Sequence, residues 1–201
     1  LTQRGTFALT HKRILATISE LAINKPLGSI TVTEVTQALA INRGTFYLHF
    51  LDMPDAIEAL EDELIQALTS VLRSLPTNWL AIFSYEQEMS LYRKITTEIR
   101  RHFATYQVLL NQNGDYYFIP KLRQQMKQYV APTLVAKNEV VTNVPSPFLR
   151  EIIISGLFDI LIFWVRQEPT LQKEQVALIL YQSRHQAPAQ LVLKSMNAKE
   201  N

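Results

Sequence analysis

The sequence predicts an all-α chain. Five glycines and nine prolines in 201 residues leave few backbone breaks. The apolar residues are Leu, Ile, Ala and Phe more than an alternation of Val and Thr, and they recur at spacings of three and four. A hydrophobic fraction of 47% against 19% charged residues suits one or two compact domains and excludes a disordered or low-complexity chain. The absence of cysteine removes disulfides, thiolate catalysis and Cys-ligated zinc. No stretch approaches the roughly 20 apolar residues of a membrane span, since the best, 152–165, is interrupted by Asp159. No basic region followed by an apolar run opens the chain, so a cytoplasmic location is expected.

About eight or nine helices follow from the periodicity. The first is expected over 10–24, capped by Thr10, with Ile14, Ile18 and Leu21 in one stripe, and Lys25-Pro-Leu-Gly28 stops it. Thr31-Val-Thr-Glu34 has the form of a capping box and opens a short helix to about Leu39. A turn, Ala40-Ile-Asn42, leads to a third helix over 43–49 with Asn42 as its cap. Two short helices joined by a three-residue turn make a helix-turn-helix. The fourth helix starts at 52–54 and ends at Leu75-Pro76, with Ile57, Leu60, Leu64, Leu68, Val71 and Leu75 on one face.

A fifth helix is expected over 88–110, broken by Asn111-Gln-Asn-Gly114. A sixth covers 115–137, with Pro120 tolerated in its first turns and Pro132 expected to kink it. Residues 138–147 read as a loop. A seventh helix over 146–167 is apolar nearly all round and is therefore expected to be buried on several sides. The eighth covers 171–184, and the tail beyond Pro188 adds at most a turn or two.

Charge is uneven along the chain, although the net is only +2. Residues 1–50 hold five cations (Arg4, Lys12, Arg13, Lys25 and Arg43) against Glu20 and Glu34, whereas 51–75 hold six carboxylates against Arg73. A weakly basic head followed by an acidic segment fits an anion-binding surface at the N-terminal end, and equally two solvated helix faces. The run Glu61-Asp62-Glu63 sits consecutively on a helix and is expected to be a solvated face. The histidines His11, His49, His102 and His185 are scattered. No Gly-rich phosphate loop, nucleophile elbow or His-Glu-x-x-His is present, so no catalytic residue, metal site or cofactor is expected.

Within the helix-turn-helix, Phe46 and Phe50 share a face suited to packing on Ile14, Ile18 and Val35. Arg43 and Tyr47 share another. Arg43 has the forked donors for a guanine edge and equally suits a phosphate. Gly44 lets the helix start approach a duplex without a side chain in the way. Thr45, Tyr47 and His49 offer donors to phosphate oxygens, and Thr31 and Thr33 open the preceding helix with backbone N–H groups suited to an anion. Lys12, Arg13 and Arg4 are positioned to add contacts from the arm.

The stretch from Ile30 to Phe50, and above all Arg43-Gly-Thr-Phe-Tyr-Leu-His-Phe50, resembles the DNA-binding head of the TetR family of transcriptional regulators. The run Tyr117-Phe-Ile-Pro-Lys-Leu and the segment 156–164 resemble a branch of that family which includes a regulator of dihydroxyacetone metabolism. The resemblance implies a head over 1–52 that binds double-stranded DNA through Thr31, Thr33, Asn42, Arg43, Gly44, Thr45, Tyr47 and His49. It also implies a ligand-binding and dimerisation domain over 53–201, with the fourth helix as linker. Two positions depart from the family pattern: Met53 replaces a phosphate-binding lysine, and Ala40 replaces a glycine that closes the second helix.

The helix stripes that carry Tyr92, Ile99, Phe103, Phe118 and Tyr129 are ordinary core by chemistry alone. The resemblance implies that they help line a pocket for a small-molecule effector. His102 or Arg100 facing such a pocket would favour an anionic ligand. The resemblance further implies a homodimer, which the apolar seventh helix supports through Ile153, Gly156, Leu157, Ile160 and Trp164. The expected activity is that of a repressor in the bacterial cytoplasm, at the nucleoid, on a palindromic operator. The alternatives are a coactivator or interaction protein of the same fold whose C-terminal domain binds a protein partner, and a helical ligand-binding or enzymatic protein with a vestigial head.

Overall fold

The structure is a computed structural model that describes residues 3–74, 84–112, 114–135 and 145–190. Among them nine α-helices and one short 3-10 turn account for the regular structure. The expected stop at Leu75-Pro76, most of the 138–147 loop and the end of the tail lie outside the described residues. The helices are α1 (Gln3–Leu21), α2 (Val32–Leu39), α3 (Arg43–Tyr47), α4 (Met53–Arg73), α5 (Tyr85–Arg101), α6 (Phe103–Leu110), α7 (Phe118–Val135), α8 (Ser146–Gln167) and α9 (Lys173–His185). The chain forms two compact units, one of residues 1–67 with 102–122, the other of 68–101 with 123–201.

In the first unit α1 packs on α2 and on α6, and α2 on α3. Ile14, Leu15, Ile18, Leu27, Ile30, Val35, Phe46 and Phe50 are buried, so the expected aromatic anchors of α3 do enter a core. α1 begins a full two turns before Thr10. The Thr10 hydroxyl donates back to the Thr6 carbonyl (3.0 Å) and does not cap, a mid-helix use of threonine that sequence position alone cannot separate from capping. Ser19 Oγ donates to Thr105 Oγ1 (2.9 Å), tying α1 to α6.

α2 ends as the sequence suggests, with a strained closure. Ala40 takes φ 53° and ψ 41° and is the non-glycine residue with positive φ among those described. Ile41 N–H reaches back to Thr36 O (3.0 Å), the long bond of a left-handed helix terminus. An alanine there costs about 1 kcal/mol that a glycine would not. Ala40→Gly is therefore expected to raise the unfolding free energy, by about 1 kcal/mol less the entropy that glycine adds to the unfolded chain. Urea denaturation checks the sign.

Two expectations change here. Glu61 is not part of a solvated face: it is 4% exposed, and Lys121 lies 3.2 Å from Glu61, 2.9 Å from Asp62 and 3.7 Å from Glu58. Burial pushes the Glu61 carboxyl above its ordinary range. The expected continuous fifth helix is two helices, because the chain turns at His102 (φ −113°, ψ 27°) and passes from one compact unit to the other. After α6, Gly114 stands so close to the helix end that a Cβ would collide with the carbonyl oxygens of Val108 and Leu109, which requires glycine at this break.

In the second unit α9 packs on α5 and α8. Buried Glu88 accepts from Tyr92 Oη (2.6 Å) and pairs with Arg184 (3.2 Å) and His185 Nε2 (2.6 Å). Burial drives the Tyr92 phenol well above its ordinary value. Arg100 donates to Pro169 O (3.1 Å) and Leu171 O (2.9 Å) and lies over the Trp164 ring. It fastens the α8–α9 turn. Arg123 bonds Ser155 Oγ and Asp159, and Lys127 pairs with Glu151, which joins α7 to α8.

Candidate nucleic-acid interface

The helix-turn-helix segment is held from both sides. At α2 the capping box is complete: Glu34 N–H donates to Thr31 Oγ1 (3.3 Å), and Thr31 N–H donates to Glu34 Oε2 (2.9 Å). The Thr31 hydroxyl also donates to Glu34 (2.8 Å). Thus Thr31 is committed within the chain, and its N–H is not free for the anion that the sequence suggests. Lys25 joins the same carboxylate at 2.6 Å. Its ammonium, with the two Thr31 bonds, lowers the Glu34 carboxyl to about 2. A carboxyl depressed in the fold stabilises above its unfolded value of about 4.3 and ceases to as pH falls toward 2. Melting temperature measured from pH 5 to pH 2 should therefore fall more steeply for the wild type than for Glu34→Gln.

At α3, Asn42 Oδ1 accepts from Thr45 N–H (2.7 Å) and from the Thr45 hydroxyl (3.0 Å). This is the expected cap, and it occupies the Thr45 hydroxyl. A Cβ at Gly44 would stand 3.2 Å from the same capping oxygen, so this glycine leaves room for the cap as well as for a duplex. Arg43 and Gly44 are exposed. Arg43 Nη2 donates to Thr33 Oγ1 (2.5 Å), which brings those two sequence-selected residues together and pre-aims the guanidinium. Tyr47 is 54% exposed, edge-on to Phe46 at 5.7 Å.

His49 has a different setting from the expected phosphate contact. Its ring lies tilted against Phe7 (4.0 Å) and beside His11 (5.7 Å), and its Nδ1 is buried without a hydrogen-bond partner among the described residues. Burial, and then the neighbouring His11, lower its basicity. It packs the segment that follows α3 against α1. After α3, Asp55 N–H donates to Asp52 Oδ1 (2.9 Å) and Leu51 N–H to Asp55 Oδ2 (2.7 Å), fixing the entry to α4 at Met53. Leu48 and Leu51, which carry no motif signal in the sequence, are 74% and 82% exposed.

The five residues expected to line a pocket are divided between the two compact units. Phe103 and Phe118 belong to the first unit, and Tyr92, Ile99 and Tyr129 to the second. The second unit encloses an apolar cavity of about 30 Å³ lined by Leu72, Tyr92, Met126, Leu157, Phe158 and Leu180 among others, so Tyr92 alone of the five lines it. Tyr129 instead accepts from Arg73 Nε (2.9 Å). Of the residues expected at a dimer face, Gly156 is exposed, and Ile153 and Ile160 are half-buried. Leu157 turns inward to the cavity. Trp164 is 1% exposed and donates to Leu171 O (2.9 Å), so it is core of its own chain. Ile152 and Phe163, 65% and 56% exposed, complete the outward face of α8. A groove of about 400 Å³ between α8 and α9 is lined by Ile160, Phe163, Val176 and Ile179, with Trp164 as part of its wall.

A head of α1 to α3 with this capped, outward-facing α3 is that of a helix-turn-helix protein. The family model for the TetR-type transcriptional regulator C-terminal region matches residues 86–186, and the chain belongs to the TetR family of transcriptional regulators. The crystal structure of a TetR transcriptional regulator from Streptococcus agalactiae 2603V shares the fold, with a TM-score of 0.62 at 19% identity over 89% of this chain and 97% of that one. No curated protein matches the chain in sequence. Among the described residues no helix is long and apolar enough to cross a membrane.

Proposed function

We propose that this regulator is a homodimeric repressor whose two heads, over residues 1–52, bind a near-palindromic double-stranded operator. A ligand-binding and dimerisation region over 53–201 would control it. The observation that carries the reading is α3 itself: Asn42 caps it, Phe46 on its inner face and Phe50 just beyond its end are buried, and Arg43, Gly44 and Tyr47 are left outward. That is the arrangement by which a recognition helix enters a major groove. The outward face of α8, with Ile152, Gly156, Ile160 and Phe163, supports a two-fold helix-on-helix interface. With Met53 in place of a phosphate-binding cation, more of the backbone contact falls on Lys12 and Arg13, both exposed on α1.

On this reading the input is a largely apolar small molecule that enters the cavity by displacing its flexible wall residue Met126. Leu72, in the last turn of α4, lines the same cavity, so its displacement acts on the helix that follows the recognition segment and shifts the DNA-competent population. The likeness of residues 117–122 and 156–164 to the branch with a dihydroxyacetone-metabolism regulator belongs to this proposal too. One observation favours a second reading, a coactivator that binds a protein. A cavity of about 30 Å³ holds only about one or two waters, whereas small-molecule pockets run to hundreds of cubic ångströms.

A gel shift with the DNA upstream of the chain's own gene tests the first reading, followed by a screen for compounds that release the complex. Retardation reversed by a compound supports it. Retardation that no compound reverses favours the protein partner. No retardation removes the DNA reading.

A further inference from the structure

The exit from the recognition helix is apolar where a DNA-binding surface is ordinarily charged. Between Arg43 and Arg73 the sequence contains no lysine or arginine. Its exposed large apolar side chains are Tyr47, Leu48 and Leu51, and they stand next to exposed Asp52 and Pro54. The two leucines are not loose. Leu48 N–H donates to Gly44 O (3.1 Å), which sets Leu48 one turn beyond Gly44 on the same face of α3, and Leu51 N–H is tied to the Asp55 carboxylate (2.7 Å). Neither side chain is covered by a described element. Two aliphatic side chains three residues apart, exposed to water on a backbone that hydrogen bonds hold in place, mark a surface suited to being covered.

The occupant is set by continuity with the outward face of α3. A partner that lies over Gly44 and Tyr47 must also meet Leu48. In a major groove the apolar feature on a base edge is the 5-methyl group of thymine, and aliphatic contact with that methyl distinguishes thymine from cytosine. We propose that Leu48 reads the 5-methyl group of one thymine in each half-site, with Leu51 extending the apolar contact. This rests on the DNA-binding reading above and adds to it a base preference that hydrogen-bond donors on α3 would not supply.

The test uses duplexes retained by the full-length protein from a random pool. Deoxyuridine, which lacks the methyl but keeps every hydrogen-bonding group, is substituted for each thymine in turn. One position per half-site should weaken binding about fourfold, the factor for one methyl-sized group withdrawn from contact, and both together about fifteenfold. Leu48→Ala should bind the parent duplex that much more weakly and no longer distinguish thymine from deoxyuridine at that position, with its melting temperature unchanged because the side chain is exposed. Leu51→Ala should retain the discrimination. Cytosine in place of that thymine should weaken binding, and 5-methylcytosine should restore part of it.

Indifference of the wild type to every deoxyuridine overturns the inference, as does full discrimination retained by Leu48→Ala. A Leu48→Ala protein that binds all duplexes as the wild type does assigns the leucines to a protein partner and overturns it as well. Failure of the wild type to retain any duplex is a separate result, which removes the DNA-binding reading and this inference together.

Discussion

Tyr47→Ala is expected to reduce operator binding below detection without lowering the melting temperature. The ring is 54% exposed and edge-on to buried Phe46, so its removal takes little from the core. In a groove, however, it lies on the one face of α3 that can reach the duplex. Removing an interaction of this kind costs about 1–3 kcal/mol per half-site, hence about 2–6 kcal/mol for a dimer engaging two. Arg43→Ala should cost no more than this and should also relax base preference if the guanidinium reads an edge. Its present partner, Thr33 Oγ1, is replaceable by water because both groups are near the surface. Fluorescence anisotropy with a labelled duplex gives both numbers. Two variants that bind like the wild type would mean that α3 is not the recognition helix.

Gly156→Glu is expected to produce a folded monomer. A Cβ at this position meets nothing within 4 Å among the described residues of its own chain, and exchanging glycine for glutamate at an exposed helix position favours the helix by about 0.5–1 kcal/mol. The chain alone gives the substitution no reason to unfold. Across a two-fold α8 contact, by contrast, the carboxylate would be buried without a partner at a cost of several kcal/mol, enough to weaken dimerisation about a hundredfold or more. Sedimentation velocity should show the monomer while far-ultraviolet circular dichroism stays as in the wild type. Trp164→Ala makes the opposite kind of variant: the indole is buried and bonded within its own unit, so it tests the fold and not the interface.

Local chemistry is what the sequence makes legible. The Thr31 and Glu34 box, the Asn42 cap and the span of α8 all depend on residues within a turn or two of one another, and each stands where the sequence places it. Features that depend on a distant partner are not legible. The apolar spacing continues unbroken through Tyr92, Ile95, Ile99, Phe103 and Tyr106, so periodicity does not show that the chain bends at His102. Burial of Glu61 needs Lys121, sixty residues away in sequence. The stripe of a helix gives a phase but not a facing neighbour, which is why Tyr92 lines the cavity while Phe118 and Tyr129 do not. The start of α5 does carry a signal: Ser84 and Gln87 cap each other, the same reciprocal pattern as at α2. Leu48 and Leu51 stand in plain view in the sequence, but an exposed leucine is visible only once the fold shows what is left uncovered.

On the proposed function, two chains bind one duplex through α3. Sedimentation equilibrium of the protein with a duplex recovered from the gel shift measures it directly. The expected result is two chains per duplex, and weaker binding through a single remaining half-site when either inverted half-site is scrambled. A complex of one chain per duplex, or a wild-type protein that sediments as a monomer at micromolar concentration and retains no duplex, would contradict it.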